Sequence, residues 1–299
     1  MERSTTVMTG ASRGIGLVAA QHLLATDRDL QLVVLGRVPA ELAGPRVTAI
    51  PADLSSLADV HRAATEVTTL LDAGLPPLRG LIANAGIQHA DARTTTVDGH
   101  EATFAVNVIA NHLILRVLAD RFTTPARVVI TTSDTHFGDL KHNLGMVPAP
   151  RWRDPEVLAA PGAFPKPDSA PAGRTAYSTS KLATVHQVHE LARRLPPGVE
   201  VLAHNPGFVP GTGLTRNAGP AVRFTAKHFL PLLARTPIAT DVTTAGRHLA
   251  ESLTRPITSG DYVDRDHVAD SAPQSYDRDR EARLWAVLDE LCGTWVPAR

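Results

Sequence analysis

Tyr177 and Lys181 stand four residues apart in Tyr177-Ser178-Thr179-Ser180-Lys181. On a helix that spacing puts a phenol and an ammonium on one face. A free tyrosine titrates near ~10, too high for easy proton exchange at neutral pH, and a nearby ammonium favours the phenolate. Such a phenol can give a proton to a carbonyl oxygen as hydride reaches the carbon, or run the reverse. Ser133, at the C-terminal end of a strand, could hydrogen-bond the same oxygen. Asn107 sits mid-helix in Phe104-Ala105-Val106-Asn107, where asparagine is unfavourable unless it does something. It could hold a water that leads protons to Lys181, or bond a neighbouring backbone group.

Hydride needs a donor, and the other end of the chain suggests one. In Thr9-Gly10-Ala11-Ser12-Arg13-Gly14-Ile15-Gly16 the three glycines fall where a strand turns into a helix. Glycine there lets the backbone approach phosphates and the helix pack closely on the strand. The helix N-terminus offers free N–H groups and a partial positive charge to a pyrophosphate. The second strand ends Leu35-Gly36-Arg37, without the acidic residue that would bind a ribose 2′-hydroxyl. Arg13 and Arg37 therefore favour the phosphorylated cofactor, NADP(H), because arginine suits phosphate oxygens. Arg37 as a plain solvated loop residue is the alternative. Asp53 and Leu54, after the third strand, could contact the adenine, or Asp53 could cap the following helix.

The elements that must position these residues alternate. Strands are expected at Thr5–Met8, Leu30–Leu35, Val47–Ile50, Leu78–Ala83, Arg127–Thr132 and Val199–His204. Helices are expected at Gly14–Ala25, Leu57–Leu71, Asp98–Arg121 and Thr175–Leu195. Alternation implies parallel strands with helices on both faces, and the continuous apolar run Leu32-Val33-Val34-Leu35 fits a sheet buried on both sides. The reading is α/β: one Rossmann-type doubly wound domain over residues 1–299. Two segments break the rhythm. His136–Gly173 is a proline-rich insertion in which Asp154-Pro155-Glu156 resembles a helix start. Pro206–Arg235, carrying Phe208, Phe224, Phe229 and Leu230, reads as a substrate lid. Both follow strand C-termini, where ligands bind in open α/β sheets.

Composition narrows the partners. Thirty basic and thirty acidic residues give a formal net charge of zero, which argues for neither nucleic acid nor an anionic membrane. The single cysteine, Cys292, allows no intrachain disulfide and no cysteine metal cluster. His186 and His189 share a helix face but lack a third ligand at convincing spacing, so no metal is expected. His136 and His142 could line the pocket or sit in a surface loop. No apolar stretch is expected to reach the ~18 residues that span a bilayer. Strand-like residues begin within a few positions of Met1, leaving no room for a signal peptide, and a cytoplasmic protein is expected.

Taken together, these residues resemble the short-chain dehydrogenase/reductase superfamily. The resemblance rests on the Thr9–Gly16 turn, the strand end Asn84-Ala85-Gly86 and the Tyr177/Lys181 pair, in that order along the chain. Finer features resemble its retinol dehydrogenase and protochlorophyllide reductase-like branch. They are Thr96-Val97-Asp98-Gly99-His100-Glu101, Ser133-Asp134-Thr135-His136, Pro206-Gly207 followed by Thr212-Gly213-Leu214, and Arg283-Leu284-Trp285. The resemblance implies an active-site quartet of Asn107, Ser133, Tyr177 and Lys181. It implies cofactor contacts from Gly10, Ser12, Arg13, Gly14, Ile15, Gly16, Asn84, Ala85, Gly86, Pro206 and Gly207, with Asn84 beside the ribose and Thr212 near the nicotinamide carboxamide. It also implies NADPH, a bulky apolar carbonyl or alkene substrate, and a homodimer or homotetramer through the long helices. Ala83 stands where the family often has a second asparagine, and the Ser133–Tyr177 gap is longer than usual. An NADPH-dependent carbonyl reductase is the leading expectation. Alkene reduction, alcohol oxidation or NADP sensing without catalysis are the alternatives.

Overall fold

β-Branched and leucine-rich runs that face helices on both sides have to pair in parallel, and they do. The computed structural model describes residues 3–143, 145–210 and 239–295. Its strands are Ser4–Thr9 (β1), Leu30–Leu35 (β2), Val47–Ile50 (β3), Leu78–Ala83 (β4), Phe122–Thr131 (β5), Val199–Asn205 (β6), Tyr262–Asp264 (β7) and His267–Ala269 (β8). They form one sheet in the order β3-β2-β1-β4-β5-β6-β7-β8. Neighbours are parallel except β7 and β8, which are antiparallel. The described helices of five residues or more are Gly14–Thr26 (α1), Leu57–Asp72 (α2), Ala102–Arg121 (α3), Pro155–Ala159 (α4), Ala170–Arg194 (α5), Val242–Glu251 (α6) and Arg278–Leu291 (α7).

The sheet separates two cores, and successive strand residues feed them alternately. Val33 and Leu35 join Val7, Leu81 and Ile130 against Val60 of α2, Ile109 and Leu113 of α3, Val185 of α5 and Leu288 of α7. Leu32 and Val34 join Met8, Ile82 and Leu202 against Ala19 and Leu23 of α1 and Leu249 of α6. The chain winds outward from β1 to β3, then returns to start β4 on the other side of β1. The C-terminal ends of β1 and β4 therefore diverge into the crevice where doubly wound sheets bind ligands. Thr9 and Ala83 lie side by side there, with Ile130 next to Ala83.

Several boundaries differ from the sequence reading. α3 starts at Ala102, after a reversal in which Thr95 bridges Glu101 and Gly99 takes φ +82°. α5 starts at Ala170, capped by Ser169, so the insertion ends before Gly173. α3 is also long and apolar enough by composition to cross a membrane, which the sequence reading missed. Yet 89% of its apolar window is buried inside the fold, as a core helix. The expected Pro206–Arg235 lid lies outside the described residues beyond Pro210.

Candidate active site

The glycine turn is built from backbone contacts that side chains would break. A Cβ on Gly16 would sit 2.1 Å from the Gly10 carbonyl oxygen. One on Gly10, at φ +72°, would meet the Ala85 nitrogen and Asn84 Nδ2 at 2.8 Å. Gly14, at φ +56°, faces open space. Arg13 occupies the N-cap of α1 but makes no side-chain hydrogen bond to the helix, and no acidic residue lies in the first turn. The α1 N-terminus thus has no side-chain cap or counter-charge of its own, the arrangement that suits an anion. Asn84 links the parts: its Nδ2 donates to the Gly10 carbonyl (3.2 Å) and its Oδ1 accepts from Thr131 Oγ1 (3.3 Å). The Ala85 N–H donates to Thr9 Oγ1 (3.0 Å), and Gly86 borders both Asn107 and Lys181.

The remaining nucleotide-end residues fall around this turn. Arg13, Arg37 and Asp53 are exposed, and Ser12 is half-buried. Ile15 and Leu54 each pack on one of the two cores. Asp53 does not cap α2: its Oδ1 accepts from the N–H and hydroxyl of Ser55 (2.9 and 2.7 Å), and Ser56 caps the helix instead. Pro206 is buried, and the Gly207 N–H donates to Asn205 Oδ1 (3.1 Å). Thr212 lies outside the described residues.

At the chemical end, the structure brings Ser133, Tyr177, Lys181 and Asn107 together where β5, α3 and α5 meet. Ser133 follows β5, and its hydroxyl lies near enough to the Tyr177 phenol to lower it. Lys181 Nζ donates to the Thr131 carbonyl (2.9 Å) and lies 5.7 Å from the Tyr177 ring centroid. Burial pulls the Lys181 ammonium down to about 8. Tyr177 departs from the expectation that Lys181 would lower it. Burial raises the phenol well above its ordinary value, the Ser133 hydrogen bond lowers it, and the Asp134 carboxylate raises it further. Desolvation is the largest influence on the phenol.

Asn107 has its side chain fully engaged. Its Oδ1 accepts from the Ile87 N–H (2.9 Å), and its Nδ2 donates to the Ile87 carbonyl (3.0 Å) and Ser180 Oγ (2.9 Å). Its own carbonyl accepts from Asn111 Nδ2 (2.8 Å). This is the backbone-bonding alternative for a mid-helix asparagine, in a π-helical turn, Ala105–Ile109, within α3. π-Turns inside α-helices often mark functional sites.

Other candidates resolve into supports. His136 is buried: its Nδ1 pairs with the Ser133 carbonyl (2.6 Å) and its Nε2 accepts from the Ala272 N–H (3.1 Å). Burial lowers it to about 4, so it stays neutral and fixes the backbone of Ser133. His142 stacks on Phe137 and pairs with Asp139. His189 meets Glu281 of α7 at 3.1 Å, and among the described residues no group of three potential ligands surrounds a metal position. The sequence reading assigned nothing to Asp134, Asn205, Asp264 or Arg265. The Asp134 N–H donates to Asn205 Oδ1 (3.2 Å), and Asn205 Nδ2 donates to Asp264 Oδ1 (2.9 Å). Only the adjacency of Asp134 to Ser133 could have flagged this cluster.

Known proteins resemble the chain along nearly its whole length. Residues 4–143 match the short chain dehydrogenase family. A Streptomyces sp. (strain C5) protein described as a daunorubicin C-13 ketoreductase is 30% identical, over 97% of this chain and 92% of its own. Human retinol dehydrogenase 13 is 28% identical, over 98% of this chain and 86% of its own. The NADPH-bound carbonyl reductase structure from chicken fatty liver superposes with a TM-score of 0.57 at 19% identity, covering 89% of this chain and 98% of that one. The chain belongs to the short-chain dehydrogenase/reductase superfamily, oxidoreductases that act on CH–OH and C=O groups with a nicotinamide cofactor.

Proposed function

We propose that the chain is an NADPH-dependent reductase of a ketone or aldehyde carried on a small-to-medium, apolar substrate. The observation that carries this reading is the convergence of the Ser133 hydroxyl and the Tyr177 phenol at the end of β5, with the Lys181 ammonium anchored on the Thr131 carbonyl 5.7 Å from the Tyr177 ring centroid. The glycine turn and the α1 N-terminus fit a pyrophosphate. Arg13 and Arg37 would take the 2′-phosphate, and Asp53, Leu54, Asn84, Ala85, Gly86, Pro206 and Gly207 would border the rest of the nucleotide. When bound, the reduced nicotinamide supplies hydride.

The chain's own residues handle the proton. Burial keeps the Tyr177 phenol protonated before the reaction, so it can donate to the carbonyl oxygen. Lys181 has three N–H donors and spends one on Thr131, leaving two for ribose hydroxyls and a charge that steadies the phenolate once it forms. Ser133 orients the substrate oxygen. Asn107 positions the Ile87 peptide beside the site and locks α3 to α5 through Ser180. The ketoreductase relative favours carbonyl chemistry.

A panel of ketones, aldehydes and enones, read by NADPH oxidation, tests the reading. Tyr177→Phe should retain cofactor affinity and lose roughly 10²–10⁴-fold in turnover. Near-native turnover in that variant would sink the mechanism. Turnover of alkenes alone would move the assignment to C=C reduction, and cofactor binding without turnover would favour an NADP sensor. NADPH should bind more tightly than NADH, and Arg37→Ala should narrow the gap by roughly tenfold. Equal affinities in the unmodified protein would refute the charge argument.

A further inference from the structure

We propose that Asp134 is a positioning residue that decides where Ser133 sends its one hydroxyl proton. An ionised Asp134 carboxylate takes it. A protonated Asp134 releases it to the carbonyl oxygen of the substrate. The inference rests on the carbonyl-reduction reading above.

The geometry leaves Ser133 no spare capacity. A serine hydroxyl has one hydrogen and two lone pairs. One lone pair accepts the Thr135 N–H at 3.3 Å. Asp134 Oδ1 lies 3.2 Å from Ser133 Oγ, and the Tyr177 phenol is the third neighbour. An ionised carboxylate can only accept, so the serine hydrogen goes to Asp134. One lone pair is left on the side of the Tyr177 phenol. A substrate carbonyl oxygen is also only an acceptor. It can take the Tyr177 hydrogen, but it gains the Ser133 hydrogen only if Asp134 gives that hydrogen up. A neutral carboxyl group can itself donate to Ser133, which frees the serine hydrogen for the substrate. Neither Asp134 nor Ser133 loses its proton in the reaction. Hydride goes from the reduced nicotinamide to the carbonyl carbon, and the Tyr177 proton goes to the oxygen.

The surroundings hold Asp134 in place and poise it. Its own N–H is fixed on Asn205 Oδ1. Burial is the first influence on its carboxyl and raises it, the Ser133 hydrogen bond lowers it, and Asp264 at the end of β7 raises it. His142 and Arg265 lower it, and the balance lies at about 6. The phenols of Tyr177 on α5 and Tyr262 on β7 also face the carboxyl. Asp139 pairs with His142 from the same loop. Arg265 is partly neutralised by its own contact with Asp264 at 3.1 Å.

Two measurements test this. The first is the pH profile of kcat/KM for NADPH-dependent reduction of the best carbonyl substrate, in the native enzyme and in Asp134→Asn. An asparagine amide donates to Ser133 as a neutral carboxyl would. The native value should fall by up to about tenfold per unit as pH rises above the Asp134 midpoint. Asp134→Asn should be flat from about pH 5 to pH 7, below the Lys181 midpoint at about 8, and faster than native at about pH 7. The same fall between about pH 6 and pH 7 in both proteins, or a variant slower at every pH, would overturn the proposal. The second is a ¹³C NMR titration of aspartate carboxyls, with Asp134 assigned by its loss in Asp134→Asn. Its resonance should titrate near 6 and move upward in Ser133→Ala. A resonance that stays at the ordinary carboxylate value, or that ignores Ser133→Ala, would also overturn it. If the enzyme reduces no carbonyl at all, the reduction reading falls, and the NMR titration alone decides whether the Ser133 proton follows Asp134.

Discussion

Lys181 shows what an active-site residue costs the fold. It is 4% exposed, and its ammonium donates to the Thr131 carbonyl. Burial lowers its folded-state value to about 8, below the ordinary 10.5. Between those values the unfolded chain binds a proton that the folded chain does not, so stability rises with pH across that window. Below it, the buried ammonium is a fixed penalty. We expect Lys181→Met to abolish turnover yet raise stability at neutral pH by on the order of 1 kcal/mol, the desolvation relieved less the lost hydrogen bond. The advantage should shrink as pH climbs from about 8 towards 10.5. Thermal unfolding of both proteins at neutral and alkaline pH reads this directly, and a variant less stable than native at neutral pH would contradict it. Tyr177 and Lys181 were legible because helical spacing alone puts phenol and amine on one face, and Ser133 because its hydroxyl stands at the C-terminal end of a strand. Asp134 was not, because its meaning depends on burial beside Asp264 and Arg265, which lie far along the chain.

Glu101 does for an element what Lys181 does for the site. It caps α3, its Oε2 accepting from the Phe104 N–H at 2.6 Å, and it is 1% exposed. Burial raises its carboxyl to about 7, against hydrogen bonds from Phe104 and Thr103 that lower it, while Asp91 raises it. Between 4.5 and about 7 the folded chain keeps a proton that the unfolded chain has released. Stability therefore falls as pH rises through that window and stays reduced above it. Glu101→Gln keeps an acceptor for the cap and removes the charge. We expect it to stabilise the fold above neutrality by on the order of 2 kcal/mol and to make little difference near pH 4. Urea midpoints across that range would show the gap opening; a constant offset would mean the cap, not the charge, changed. Neither this cap nor the true start of α3 was evident from sequence, because Asp98 stands as a helix-start residue just ahead of the apolar run that begins at Ala102, while the backbone reverses at Gly99. α5 hid its start for the opposite reason: Pro171 reads as a breaker, but proline is tolerated in a first turn. β2, β3 and β4 were read to the residue, since short apolar runs between turn residues admit one answer. β7 and β8, three residues each, are too short to show a period.

At the scale of the whole molecule, α7 clamps the two long helices that carry the site. Trp285 lies edge-on to His112 of α3 at 4.6 Å and under the Arg194 guanidinium of α5 at 4.8 Å. Asp289 pairs with His112 at 2.7 Å and also with Arg116. Glu281, buried on the same helix, pairs with His189 and Arg193. At the exposed edge, Arg283 reaches Asp154 and Glu156 of the insertion at 2.9 and 2.7 Å. The two kinds of contact should differ sharply in weight. Removing a buried indole leaves a cavity and strips the packing of its neighbours, about 3–5 kcal/mol for tryptophan to alanine. Exposed ion pairs are screened by solvent and must hold long side chains in one geometry. We therefore expect Trp285→Ala to lower stability by about 3 kcal/mol, seen as a substantially lower urea midpoint, with turnover at low temperature near native because the indole lies outside the site. Arg283→Ala should leave the midpoint almost unmoved. A large shift from Arg283→Ala, or none from Trp285→Ala, would mean that the insertion rather than the α7 core holds α3 and α5 in place.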